Sequence, residues 1–341
     1  MGGAIAITGG GAFTAKNIAN INSNFSQLFA GFTPGNLIYL WPSFGVAPSG
    51  FPQAPDGSIN APYTDLASAY GAGRANKNDI IILVGNGAST GSVRLSANFA
   101  WAKSGLHMIG ISEPGMFSQR ARIAPTAGVT GFANFFTITA SGCFFQNIEW
   151  FQGFTAGIAS EICLTLTGAS NNTFQNCHIA GMADTDAGSG ATAGARNLKI
   201  SGGGENYFNH CVIGVDTIAR STTNASLELA GATTRNVFEE CIFPSDATNS
   251  GALTILGTGA DCIDRFTLFN HCSFINAIKS GGTGQTVLAS LTNAAPGGML
   301  VFKDCISIGS TKFGDTNALA NSYIDMAAVS ASAGGLGVNP S

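Results

Sequence analysis

A recurring set of titratable side chains is the first feature of this sequence that suggests chemistry. The residue before each of five cysteines is polar, and in chain order these residues are Asn176, His210, Glu240, His271 and Asp304. If they stack and face outward at a bend, His210, Glu240 and His271 can form a proton relay or bind a metal ion. The simpler interpretation is a polar ladder satisfied by water. Nothing else in the sequence completes a hydrolase there. We therefore favour the ladder and predict no bound metal ion and no cofactor.

A second candidate site is the pair Asp184 and Asp186, in the segment MADTDAGSGATAGAR. Two carboxylates this close in sequence can act as an acid and a base, or hold a weakly bound Ca²⁺ ion. Short polar residues of this kind are also typical of a solvated turn, and we favour that interpretation. The glycines at 9–11 are not followed by the lysine of a phosphate-binding loop, and GxSxG does not occur. The sequence therefore lacks both the phosphate-binding loop motif and the nucleophile motif of serine hydrolases.

Five copies of a Phe-x-x-Cys phrase organise the middle of the chain, and an earlier copy carries isoleucine in place of cysteine. Successive phenylalanines lie 29 to 34 residues apart. The recurring positions are Phe145, Phe174, Phe208, Phe238, Phe269 and Phe302, followed by Ile148, Cys177, Cys211, Cys241, Cys272 and Cys305. Alternating apolar and polar segments, such as LTLTGA at 164–169, precede the copies and predict strands. This β-rich period indicates an all-β parallel β-helix of about seven coils.

Stacked coils place equivalent residues above one another, about 4.8 Å apart. We therefore expect the phenylalanines of the repeat to form one internal stack, and the cysteines with Ile148 to form a second. The three-residue spacing between the two positions requires the chain to bend between them. Asn172, Asn206 and Asn236, each two residues before a phenylalanine, are expected to form an internal amide ladder. The eight cysteines contain no CxxC pair and are predicted to be free and buried.

The two ends of the chain differ from the repeat region. We predict an N-terminal helix and Pro-rich docking arm over 1–62, the parallel β-helix over 63–312, and a C-terminal tail over 313–341. Helical spacing of apolar residues within 14–31 predicts one amphipathic helix, and aromatic residues follow in the arm. The helix packs either on its own β-helix or on a neighbouring subunit or larger assembly. The predicted docking residues are Ile18, Ile21, Phe25, Leu28, Phe29, Trp41 and Phe44.

Composition narrows the classes of partner. Only 10% of the 341 residues are charged, the net charge is −4, and 46 residues are glycine. A nearly neutral chain with no Lys/Arg cluster offers little attraction to nucleic acid or anionic lipid. The longest strongly apolar run, at 80–84, is too short to cross a bilayer. MGGAIAITGGG lacks a basic n-region, so we expect no signal peptide.

One segment carries a resemblance to a known family. DLASAYGAGRANKNDIIILVGNG at 65–87 reads as a short helix, a turn, a buried strand and a glycine turn, and GLHMIGIS at 105–112 reads as a strand that closes a first coil. This pattern resembles the start of the pectin-lyase-like family of right-handed parallel β-helices. The resemblance spans roughly residues 60 to 310 and implies the fold, with the helix at 64–70 covering the N-terminal end. The Asp-plus-Arg set of the polysaccharide-cleaving members has no match here, so no catalytic role is carried over.

The segment AITGGGAFTAKNIANINSNFSQLF resembles the start of phage structural proteins, over some 30 residues. This resemblance implies a virion component assembled in the host cytoplasm, standing as a homotrimer and contacting other virion proteins such as the major capsid protein. We favour a capsid decoration or head-fibre protein. The alternative is an enzyme, a tailspike that depolymerises host surface polysaccharide, and a third possibility is a spike that binds glycan without cleaving it.

Overall fold

The chain folds as a right-handed parallel β-solenoid of about seven turns, as the repeat predicts. The computed structural model describes residues 35–44, 54–86, 88–112, 121–154, 158–184, 190–278 and 284–330. Every pair of neighbouring strands in its sheets is parallel, because each coil returns to the same face about 4.8 Å further along the axis. Three faces result, which we name sheets A, B and C.

Sheets A and B join at a sharp corner. Sheet A contains the strands Leu37–Leu40, Ile80–Val84, His107–Ile111, Phe144–Gln146, Thr173–Gln175, Tyr207–Asn209, Thr233–Glu239, Ile263–Asn270, the first half of Met299–Ile308, and Ser322–Ser330. Sheet B contains Val93–Leu95, Ala121–Pro125, Ile148–Phe151, His178–Ala180, Val212–Ile213, Ile242–Ala247, Ser273–Asn276 and the second half of Met299–Ile308, with the short strand Ala219–Arg220 beside it.

Sheet C closes the tube. Its strands are Phe99–Trp101, Asn134–Ile138, Ile162–Thr167, Arg196–Ser201, Ala225–Ala230, Leu253–Thr258, Gln285–Leu291 and Ser310–Gly314. The helical elements are α1 (Leu66–Ala72), a 3₁₀ turn (Ser89–Gly91) and α2 (Thr316–Ala320), and the side chains of Asp65 and Asp315 cap the two helices. Loops of different lengths connect sheet B to sheet C. The coils therefore differ in number of residues mainly on that side.

The six phenylalanines of the repeat form one continuous internal stack. Neighbouring ring centroids lie 4.6 to 5.1 Å apart, and neighbouring rings are within 12° of parallel. All six side chains are fully buried. Since every ring sits on the ring of the coil below, the stack fixes the register of sheet A through six coils.

The recurring cysteines form a second column across the corner. Each thiol donates a hydrogen bond to the carbonyl of the stacked phenylalanine one coil earlier, with Sγ···O distances of 3.3 to 3.4 Å. Ile148 holds the equivalent place in the first such coil and is also buried. All eight cysteines of the chain are free and buried.

Burial governs the reactivity of these thiols, because it raises the pKa of Cys241 and of Cys163 well above the usual range. We expect none of the eight cysteines to react with an aromatic disulfide reagent in the native protein, and all eight to react in denaturant. Rapid reaction of several thiols without denaturant would contradict the observed packing. The same measurement serves below as a test of folding.

Asn172, Asn206 and Asn236 are completely buried and form an amide ladder beneath the phenylalanine stack. The Nδ2 atoms of Asn172 and Asn206 donate to the Oδ1 atoms of Asn206 and Asn236, at 3.1 and 3.0 Å. Each of these two amides also donates to a backbone carbonyl at the turn, and each Oδ1 of the next coil accepts a backbone N–H. The ladder therefore satisfies buried backbone groups where the chain turns from sheet C into sheet A.

The first coil begins earlier than the sequence interpretation placed it. Leu37–Leu40 pairs in register with Ile80–Val84, although we assigned residues up to 62 to an arm. Ile38 and Leu40 are buried in the core, which explains why this segment joins the sheet despite the prolines that follow it. Helix α1 buries Leu66 and Ala69 near the same end of the core.

The last coil also ends later than predicted. Residues from 313 were assigned to a tail, yet Ser310–Gly314 pairs with Gln285–Leu291 and Ser322–Ser330 pairs with Met299–Ile308. Phe313 packs edge-on against Phe302, with ring centroids 4.8 Å apart. The apolar residues of this segment thus cover the open end of the core. In the described part of the chain, no helix is both long and apolar enough to cross a bilayer.

Candidate functional site

The polar residues that precede the cysteines lie at the corner between sheets A and B. Asn147, Asn176, His210, Glu240 and His271 have φ between 50° and 55°, and Asp304 has the same left-handed conformation. This single left-handed residue makes the bend that the Phe-x-x-Cys spacing requires, and its side chain points away from the core. Asparagine tolerates this conformation best among non-glycine residues, whereas glutamate does so poorly.

The structure brings the predicted titratable residues of this corner together. The His210 Nε2 and the Glu240 carboxylate are hydrogen-bonded, and His271 Nε2 lies 3.6 Å from Asp304 Oδ2. Each of these four side chains is about half exposed. Among the described residues, no group of three His, Cys, Asp or Glu side chains is placed to hold a metal ion. The arrangement suits an exposed ladder of alternating acids and bases.

Glu240 offers a test of strain at this corner. We expect Glu240→Asn to raise the free energy of unfolding by about 0.5 kcal/mol, since about 1 kcal/mol of left-handed strain is relieved and an exposed ion pair of smaller value is lost. Chemical denaturation at neutral pH measures the change. Asn176→Glu, the reverse exchange at the corner two coils earlier, should destabilise the protein. A loss of stability in Glu240→Asn would mean that the contact with His210 outweighs the strain.

Of the predicted Asp184–Asp186 pair, the structure describes Asp184, while Asp186 lies outside the described residues. Asp184 follows the Met182 turn in the loop between sheets B and C. It interacts electrostatically with a carboxylate that the sequence interpretation missed, Glu161, which precedes the strand Ile162–Thr167. This interaction therefore joins carboxylates from two different coils.

Glu161 is completely buried and accepts two hydrogen bonds from the loop that precedes its strand. Its Oε2 accepts from Gln152 Nε2 at 2.9 Å, and its Oε1 accepts from the Ile158 backbone N–H at 3.3 Å. Gln152 Oε1 in turn accepts from the Met182 N–H at 2.9 Å. The pKa of Glu161 is raised to about 7, mainly by burial; the Ile158 and Gln152 hydrogen bonds lower it in part, and the charge of Asp184 adds to the increase. A carboxyl that titrates near neutrality is suited to general acid chemistry.

This carboxyl has a measurable effect on stability. The folded protein retains the Glu161 proton up to about pH 7, whereas the unfolded chain releases it near pH 4.5. Its contribution to stability is therefore full below pH 4.5 and is lost as the pH rises through 7, by about 3 kcal/mol. We expect the difference in unfolding free energy between Glu161→Gln and wild type to move in favour of the variant by that amount from pH 4.5 to 8. A pH-independent difference would contradict the assignment.

Other buried charges near these loops are paired within the chain. Glu149 accepts from Arg122 Nε at 2.9 Å, and its Oε1 lies 3.9 Å from His178 Nδ1. On sheet C, Glu228 contacts Arg196 at 2.7 Å and Lys199 at 2.8 Å. Such mutual pairing satisfies the charges structurally and leaves little free charge to attract a ligand.

The aromatic residues assigned to docking are partly described. Trp41 and Phe44 contact each other with ring centroids 5.2 Å apart, and both are partly buried. They follow the first strand of sheet A, at the N-terminal end of the solenoid. The other predicted docking residues, Ile18, Ile21, Phe25, Leu28 and Phe29, lie outside the described part of the chain.

Comparison with solved structures agrees with this architecture. Aspergillus niger pectin methylesterase aligns with a TM-score of 0.50 at 16% identity, covering 84% of this chain and 86% of that chain. Pectate lyase Pel9A aligns with a TM-score of 0.52 at 15% identity, covering 82% of this chain and 65% of that chain. At these identities the likeness establishes the fold alone. The chain therefore has the pectin-lyase-like right-handed parallel β-helix fold.

A third structure, ORF18 of Geobacillus virus E2, aligns with a TM-score of 0.36 at 11% identity, over 89% of this chain and 61% of that chain. That likeness is too low to bear on function. No protein-family model matches the chain, and no curated protein matches its sequence.

Proposed function

We propose that this chain is a structural component of a bacteriophage virion, of the capsid decoration or head-fibre type. It docks through its N-terminal region, stands as a homotrimer and projects its β-helix outward. The observation that carries the proposal is the unbroken set of internal columns. The ring stack runs through six successive coils, the thiol hydrogen bonds join the same coils, and the amide ladder reinforces three of them, which is the construction of a stiff rod.

The described charges also favour a structural role. Glu149 contacts Arg122 on sheet B and Glu228 contacts Arg196 on sheet C, and His210 contacts Glu240 at the A–B corner. A surface with few unpaired charges has little electrostatic attraction for a charged substrate or for nucleic acid.

The experiment is cryo-EM of virions produced with and without the protein. The proposal expects density to be lost from the head in the deletion particle. Ile21→Asp combined with Phe25→Asp should prevent incorporation while leaving the β-helix folded, as judged by thiol protection. Loss of density from the tail would instead support a tailspike. A protein that never copurifies with particles would contradict a virion role altogether.

A second candidate function is a tailspike that binds or depolymerises host surface polysaccharide. Glu161 favours it, because a carboxyl with a pKa of about 7 next to Asp184 is a possible acid–base pair. The structural neighbours are, by their names, a pectin methylesterase and a pectate lyase. Incubation with host capsule or lipopolysaccharide should then yield new reducing ends or unsaturated products. Glu161→Gln and Asp184→Asn should abolish that yield, and binding without product would indicate a non-catalytic spike.

A further inference from the structure

The outer face of sheet A carries a continuous apolar column. Side chains adjacent to the stacked phenylalanines alternate outward, and the register of the strands aligns them from coil to coil. We call this set the apolar column: Phe144, Thr173, Tyr207, Val237, Leu268, Val301 and Tyr323. Its members are half-buried or exposed, with Tyr207 at 38% and Tyr323 at 60% exposure. The column contains no charged residue.

A second outward column runs beside the first, two residues further along each strand. It consists mainly of amides, and we call it the amide column: Gln146, Gln175, Asn209, Glu239 and Asn270, continued by Lys303 and Asp325 in the last two coils. Asn209 Nδ2 donates to the Tyr207 hydroxyl at 3.2 Å, and Asn270 Nδ2 donates to Glu239 at 2.7 Å. The two columns together make a flat surface of apolar and hydrogen-bonding groups at a fixed spacing of about 4.8 Å.

Charged residues border this face on both sides. At the corner with sheet C, Arg235 pairs with Glu205, and Asp264 pairs with Arg265 at 2.7 Å. At the corner with sheet B stands the ladder of His210 and Glu240 described above. An apolar centre with a polar rim is the usual anatomy of a protein–protein interface.

The same face is already covered near the N-terminal end of the solenoid. Tyr39, Ile80, Ile82 and Ile109, which occupy the outward columns of the first coils, form a buried apolar cluster. Ile59 packs on that cluster. The outward columns of sheet A are therefore buried in the first coils; Phe144 packs against the end of that cluster, and the columns stand open beyond it.

We propose that copies of this chain associate with one another through the outer face of sheet A between Phe144 and Tyr323. This inference rests on the homotypic assembly stated under the proposed function, and it names the surface that forms it. Seven rungs at about 4.8 Å and a face about 17 Å wide give roughly 500 Å² of flat surface. With its two rims, the face approaches the roughly 800 Å² per partner of a standard interface.

The chemistry of the face selects a second copy as the occupant. The two columns carry two acids and one base, Glu239, Asp325 and Lys303, and so contain no cluster of positive charge that would recognise nucleic acid or an anionic polysaccharide. The residues of the apolar column recur at the spacing of the coils. A second copy presents the same residues at the same spacing, so the apolar columns of two copies can pack against each other along their whole length. The rim charges are paired within each copy and need no foreign partner.

The test compares charge substitutions on two faces of the full-length protein. Tyr207→Lys and Leu268→Lys place a cation in the apolar column, where copies would repel each other across the interface. Ile306→Lys is the matched control, because Ile306 is 42% exposed on the outer face of sheet B. Light scattering after gel filtration gives the mass of each species. Protection of the eight thiols reports that each variant is folded.

We expect wild type and Ile306→Lys to have a mass that is a multiple of the chain mass. Tyr207→Lys and Leu268→Lys should dissociate to single chains, with a dissociation constant raised at least tenfold. A wild-type protein that is a single chain at its highest soluble concentration would overturn both the homotypic assembly and this face. An assembly that survives both sheet A substitutions would overturn the face alone, while particle location would still test the virion role.

Discussion

Replacing Phe208 by alanine is expected to lower the free energy of unfolding by about 4 kcal/mol. Phe208 lies in the middle of the stack, 4.6 Å from both Phe174 and Phe238, and its side chain is completely buried. The rings above and below are fixed by their own coils, so they cannot collapse into the space that the substitution leaves. Both the burial of the ring and its two stacking contacts are lost.

Urea denaturation followed by circular dichroism measures this effect. Phe208→Leu is the matched control and should cost only about 1 to 2 kcal/mol, because it keeps most of the apolar volume. A loss below about 1 kcal/mol for the alanine variant would mean that the coils readjust around the gap. That result would contradict the rigid rod on which the proposed structural role depends.

The second large effect is expected for Asn206→Ala, again about 4 kcal/mol. The Asn206 amide bonds to Asn172 above, Asn236 below and the Ala169 carbonyl, and its Oδ1 also accepts the Asn172 backbone N–H. Alanine leaves several of these buried groups without a partner, and no water can reach them from the surface. The cost arises from the orphaned neighbours more than from the missing hydrogen bonds themselves.

Asn98→Ala provides the comparison for this variant. Asn98 also donates two hydrogen bonds, to Asn134 and Thr137, but it is exposed to solvent. Water replaces the lost partner there, so we expect a cost below about 1 kcal/mol. Equal costs for Asn98→Ala and Asn206→Ala in thermal and denaturant unfolding would show that the buried ladder adds nothing beyond ordinary hydrogen bonds.

The Phe-x-x-Cys repeat was sufficient to infer the solenoid and its columns. A parallel β-helix converts a sequence period into a spatial neighbour, so Phe174 and Phe208 must meet once the period is recognised. The same rule brought His210 next to Glu240 at the corner. These inferences need only the spacing of residues along the chain, because backbone hydrogen bonds between coils set the rest.

The Glu161 site did not follow from the sequence. Glu161, Gln152 and Asp184 come from loops of unequal length between sheets B and C, and no period relates them. Their proximity depends on how each loop closes over the coil beneath it. The raised pKa of Glu161 depends on that closure too, because burial is its main cause.

The ends of the solenoid show the same division between sequence and structure. The sequence by itself determined the fold class, the internal columns and the bend, since these are properties of a repeated unit. Only the tertiary structure decided that Leu37–Leu40 and Ser322–Ser330 belong to the sheets, as these segments lack the Phe-x-x-Cys phrase. They pair there because the exposed edges and open core of the terminal coils must be covered, a requirement that arises only once the coils have stacked.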